Sequence, residues 1–123
     1  EKLRTKSVEI DIVLEYDGFK KYSLFEEYSR FMMVECKNLK SPVSAEQVGF
    51  FREKLRNTGV DLGFLVAWNG ISGTDSNRNA DRLNDEDSPT LVVLNSRDLY
   101  QVLDGVSLYD IIDQKLYSKR FDI

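Results

Sequence analysis

A chain of 123 residues with a formal net charge of −4 is one domain by length, and large enough to bury a single core. Its 41% hydrophobic share, with seven Phe and six Tyr, excludes a disordered segment. No His and a single Cys exclude a structural zinc site, and the acidic balance argues mildly against a protein that merely coats nucleic acid.

Only oxygen ligands remain for a metal ion, which suits magnesium, manganese or calcium. A lone Cys36 cannot form an internal disulfide, so a reducing, cytoplasmic setting is expected. The longest apolar run, residues 64–68, is far short of the ~20 residues a membrane span needs. No secretory leader is visible. The first residue falls within sequence that reads as folded, which leaves room for further domains upstream of residue 1.

Taken in order, Val8, Ile10, Ile12, Leu14 and Tyr16 alternate with Glu9, Asp11, Val13 and Glu15, predicting a strand with one buried and one polar face. Asp17-Gly18 ends it as a turn. Residues 22–30 hold a short helix or an elaborated connection, with Ser23 as N-cap and Glu26 three residues on. Residues 31–37 form a second strand, expected to pair antiparallel with the first. Ser44 then caps a helix over residues 45–57 that Gly59 stops. Val48, Phe51 and Leu55 make its apolar face, with Arg52, Lys54 and Arg56 elsewhere. Residues 62–68 read as a central strand covered on both sides. A short helix is expected near 77–83, a buried strand at 90–94, a helix over 96–103 and a last helix over 107–116. That order predicts one α/β domain spanning 1–123, a mixed central sheet flanked by helices.

The chemistry concentrates on the first two strands. Side chains two apart on a strand share a face, so Glu9 points with Asp11 and Glu35 with Lys37. Neighbouring strands would bring the carboxylates to one end of the sheet. Two carboxylates about 5 Å apart repel by roughly 3 kcal/mol at an effective dielectric near 20, so the cluster calls for a counterion. A divalent cation supplies one, with Lys37 adding part of the balance.

Val-Glu-Ile-Asp-Ile-Val at 8–13 and Met-Val-Glu-Cys-Lys-Asn at 33–38 resemble the PD-(D/E)xK superfamily of restriction-endonuclease-like nucleases. In that family an aspartate on one strand and an acid-x-Lys on the next form the metal site. The resemblance implies Asp11 and Glu35 as metal ligands and catalytic residues, Glu9 as a further ligand, and Lys37 as the catalytic lysine. It also implies Gln47, on the following helix, as a site residue. Residues 60–73 and 90–99 look like the later strands, loop and helix of the branch that includes restriction enzymes for modified DNA. The resemblance spans roughly residues 8–103. It implies a restriction-endonuclease-like fold and an Mg²⁺-dependent endonuclease acting on DNA, with Mn²⁺ as a substitute. Cutting both strands would call for two active sites, hence a homodimer. The family's N-terminal helix, often carrying a glutamate of the site, has no counterpart in the seven residues before Val8.

Plainer readings stand beside these. Glu9 also suits a solvated strand, and Gln47 completes a capping box with Ser44. Cys36 reads as a small core residue and Trp68 as core. Lys40, Arg52, Lys54 and Arg56 could contact phosphates, as could Asn69 and Ser72 on their loop, or could be ordinary surface. A second acid-x-Lys, Asp113-Gln114-Lys115, falls in a predicted helix without a partner acid. The alternative function is a non-cutting nucleic-acid-binding or interaction domain retaining the fold. A third is an acidic cluster that only stabilises the fold through a bound ion.

Overall fold

The computed structural model describes residues 3–4, 9–10, 12–16, 23–28, 30–37, 40–72 and 88–121. Among the described residues the elements run β1 (Leu3–Arg4), β2 (Glu9–Ile10), β3 (Ile12–Glu15), α1 (Ser23–Glu26), β4 (Phe31–Lys37), α2 (Ala45–Thr58), β5 (Leu62–Ala67), β6 (Thr90–Leu94), α3 (Ser96–Leu103) and α4 (Leu108–Phe121). The protein is α/β, with a four-stranded mixed sheet ordered β3-β4-β5-β6. β3 runs antiparallel to β4, whereas β4, β5 and β6 are mutually parallel. The turn expected at 17–18 and the helix expected near 77–83 lie outside the described residues.

Two apolar clusters cover the two faces of this sheet. On one, Met33, Leu65, Ala67 and Leu91 pack against Val48, Phe51 and Leu55 of α2. On the other, Met32, Leu62, Phe64, Val92 and Leu94 pack against Ile111 and Ile112 of α4, with Phe25, Tyr28 and Tyr109 alongside. Burial among these groups pushes the Tyr28 phenol above its usual range. β5 is buried from both sides, as its unbroken apolar run predicts.

α2 begins where the sequence says it should. The Ser44 hydroxyl accepts from the Gln47 N–H at 3.3 Å, and the Gln47 side chain accepts from the Ser44 N–H at 3.1 Å, closing the capping box. Gly59 ends the helix in the left-handed region at φ +70°, which a Cβ would disfavour. Ser44→Ala is expected to lower the unfolding free energy by about 1 kcal/mol in urea titrations, because the cap bond is lost. α3 carries a matching box, Asn95 with Asp98. It ends in a Schellman motif, with Gly105 N–H donating to the Val102 carbonyl and Val106 N–H to that of Gln101.

Several expectations need correction. The strand predicted across residues 8–16 is divided: Glu9–Ile10 pairs with Leu3–Arg4 in a separate two-stranded sheet, and only Ile12–Glu15 joins the main one. Its predicted faces fail at two positions. Val13, opposite Met33, packs on the α2 cluster, while Leu14 is exposed, because both faces of this sheet are covered and β3 sits at its border. α1 includes Ser23 instead of starting after it, a one-residue shift typical of helix ends. α4 runs on to Phe121, five residues past its expected end at 116. No Gly or Pro interrupts 117–121, the Tyr117 and Phe121 rings meet at a tilt one turn apart with centroids 4.8 Å from each other, and Arg120 reaches Glu27 at 3.1 Å.

Arg52 is the largest revision. Instead of lying off the apolar face, it is 1% exposed and donates to the Pro89 carbonyl at 2.6 Å. Residues 48, 51, 52 and 55 follow the i, i+3, i+4, i+7 spacing of one helix stripe, so Arg52 is carried into the core with its apolar neighbours. Cys36 and Trp68 are exposed, not core. Cys36 is the next-to-last residue of β4, and Trp68 follows the last residue of β5.

Candidate functional site

β4 is apolar for its first half and charged at its end, and its pleat sends Met33, Glu35 and Lys37 to the α2 face. In the parallel register Glu35 sits beside Leu65 and Lys37 beside Ala67, both members of the cluster under α2. Glu35 is therefore 4% exposed, a carboxylate drawn to the border of an apolar core. Such a group requires compensation.

Compensation comes from two lysines. Lys54 of α2 bonds Glu35 Oε1 directly. Lys37 Nζ lies 3.9 Å from Oε2, beyond hydrogen-bonding reach, so this contact leaves the lone pairs of Oε2 uncommitted. The pairing with Lys54 follows from matched spacings. α2 runs back over β4, and the Thr58 hydroxyl meets the Met33 sulfur at 3.5 Å. Four residues along a helix advance about 6 Å and two along a strand about 6.6 Å, so Lys54 falls over Glu35 as Thr58 falls over Met33. By sequence alone Lys54 groups with Arg52 and Arg56, off the apolar face of α2. Its place beside Leu55, at the flank of the buried stripe, is the signal that marks it out.

The remaining expected residues divide. Asp11 lies outside the described residues. Glu9 occupies the first position of β2, opposite Arg4. Gln47 serves the capping box in the first turn of α2. Arg56 pairs with Glu53 at 3.5 Å, and the second acid-x-Lys is helical, with Lys115 bonded at 3.0 Å to the buried Asp98. Lys40 and Asn69 are exposed. Ser72 donates its N–H to the Val43 carbonyl at 3.0 Å, so its loop is tied to the segment that leads into α2.

No protein-family model, curated protein or solved structure matches this chain.

The case for function therefore rests on the donor chemistry. Among the described residues, no group of three or more acidic or thiol side chains is placed to hold a metal ion. Glu35 offers one hard oxygen, the kind that magnesium and manganese accept, and a complete site needs further carboxylates. Also among the described residues, no helix is long and apolar enough to cross a membrane.

Proposed function

We propose that this chain is a restriction-endonuclease-like nuclease domain that hydrolyses phosphodiester bonds in DNA. Magnesium, or manganese in its place, is held by Asp11 and Glu35 with Glu9 as a further ligand, and Gln47 stands at the margin of the site. The observation carrying this reading is the Glu35-x-Lys37 pair, with Glu35 at the border of the α2 cluster and its Oε2 uncommitted by the nearby lysine. A second supports it. Ile12, one residue after Asp11, pairs antiparallel with Val34, one residue before Glu35.

A bound divalent cation supplies an acidified water and screens the phosphate's charge. Glu35 contributes a fixed oxygen donor, because the core around it and the Lys54 bond hold its carboxylate in place. Lys37, one-third exposed at the end of β4, can reach outward. As an ammonium it orients the attacking water or stabilises the transition state, and as a neutral amine it can take the water's proton. Plasmid and oligonucleotide DNA incubated with magnesium or manganese should be cut by the wild type. Lys37→Ala should be about a hundredfold slower, the lower end of what a positioned proton-transfer group contributes. Cleavage unchanged in Lys37→Ala would sink the assignment.

A second reading has its own support in the direct Lys54–Glu35 bond, which neutralises the acid without any metal. On this reading the domain binds nucleic acid or a protein partner without cutting. Calorimetric titration separates the two. Metal-independent, salt-sensitive DNA binding with no heat on adding magnesium favours the non-cutting domain.

A further inference from the structure

α3 is built inside out. Its carboxylate Asp98 is 8% exposed and bonded to Lys115, whereas Tyr100 is 56% and Leu103 is 80% exposed. A surface helix ordinarily does the reverse. The apolar surface continues on both sides of the helix. Trp68, 41% exposed, meets Tyr100 edge to face at 5.6 Å between ring centroids. Val106, 43% exposed, is held beside the end of the helix by its Schellman bond to Gln101.

We propose that this face is the contact between two copies of the chain. The choice of a second copy rests on charge. Arg97 and Asp104 are exposed on the same stripe as Tyr100, since positions 97, 100 and 104 recur at helical spacing. They stand at opposite ends of α3, and among the described residues neither side chain makes an ion pair. A two-fold axis passing between positions 100 and 101 lays α3 antiparallel on itself. Arg97 then meets Asp104 of the second copy, the same pair forms again on the other side of the axis, and Tyr100 and Leu103 close the centre. A contact of this kind is self-complementary by construction.

The area is adequate for a reversible dimer. With about 200 Å² for a fully exposed large side chain, the four apolar residues offer roughly 400 Å² per copy. The polar rim raises the total across both copies to the ~1,000 Å² at which specific interfaces begin. Affinity in the micromolar range is the corresponding expectation.

Sedimentation velocity on the 123-residue chain, from low micromolar to several hundred micromolar, tests this. The wild type should pass from monomer to dimer. Leu103→Asp changes a side chain already in solvent, so the fold is retained, and the dimer should weaken about tenfold or more. Arg97→Asp and Asp104→Arg should each weaken it several-fold, and the double reversal should return it to within about twofold of wild type. A wild type monomeric throughout, including one whose α3 face instead takes up another protein, overturns the proposal. So does a dimer indifferent to Leu103→Asp, or a double reversal no better than the single ones.

Discussion

Lys54→Met should lower the unfolding free energy by about 3 kcal/mol, read from urea denaturation of the wild type and variant side by side. The ammonium of Lys54 is bonded to a carboxylate that is 4% exposed, and removing one partner of a buried pair leaves the other desolvated and uncompensated. Lys37, 3.9 Å away, keeps the loss toward the lower end of the range for such pairs. Replacing both partners, as in Glu35→Leu with Lys54→Met, should recover most of the stability, because an apolar pair of similar size satisfies the same space. A Lys54→Met protein as stable as the wild type would show that the pair carries no structural weight. The same variant bears on the metal. If Glu35 is a ligand, Lys54→Met should bind magnesium more tightly than the wild type, since Oε1 no longer has a competing cation.

Gly63→Val should cost about 3–4 kcal/mol and lower the melting temperature accordingly. A Cβ built on Gly63 would lie 2.7 and 2.9 Å from the two terminal carbons of Leu55 and 3.0 Å from the tip of Phe51. Those atoms belong to side chains that are 0% and 1% exposed, so neither has open space to retreat into. The glycine lets α2 settle onto β5, and Gly63→Ala should already cost about 1–2 kcal/mol. Leu55→Ala removes the crowding atoms, so combining it with Gly63→Val should cost at least about 1 kcal/mol less than the two single changes together. Strict additivity would mean that the close approach is not what the glycine serves.

Elements bounded by local chemistry were legible before any coordinates. β4 and β6 fall within their expected limits, β5 ends one residue early, α2 starts behind its capping residue and α3 runs over the expected 96–103. Each of those signals acts within about four residues, the reach over which a side chain can satisfy a nearby backbone group. What was not legible depends on distant parts of the chain. Arg52 carries a charge that suggests solvent, whereas a partner inside the fold, the Pro89 carbonyl, lies 37 residues on. Cys36 and Trp68 are apolar enough for a core, yet they sit at and just past the ends of their strands, a placement the alternation alone does not reveal. In the candidate site, the Glu35-x-Lys37 spacing was readable from the alternation of β4. The Lys54 contact was not, because it follows from how α2 lies over that strand.

The parallel bridge between Val43 and Ile71 has a mechanical consequence. Val43 donates its N–H to the Gly70 carbonyl at 2.9 Å and its own carbonyl accepts from Ser72 N–H at 3.0 Å, so two connections from different crossovers are stitched together. Val43, just ahead of the α2 cap, cannot swing outward without breaking these bonds or carrying residues 70–72 with it. A displacement of Gly70 or Ser72 is thus passed to Val43 and, through it, to Ser44 at the cap of α2.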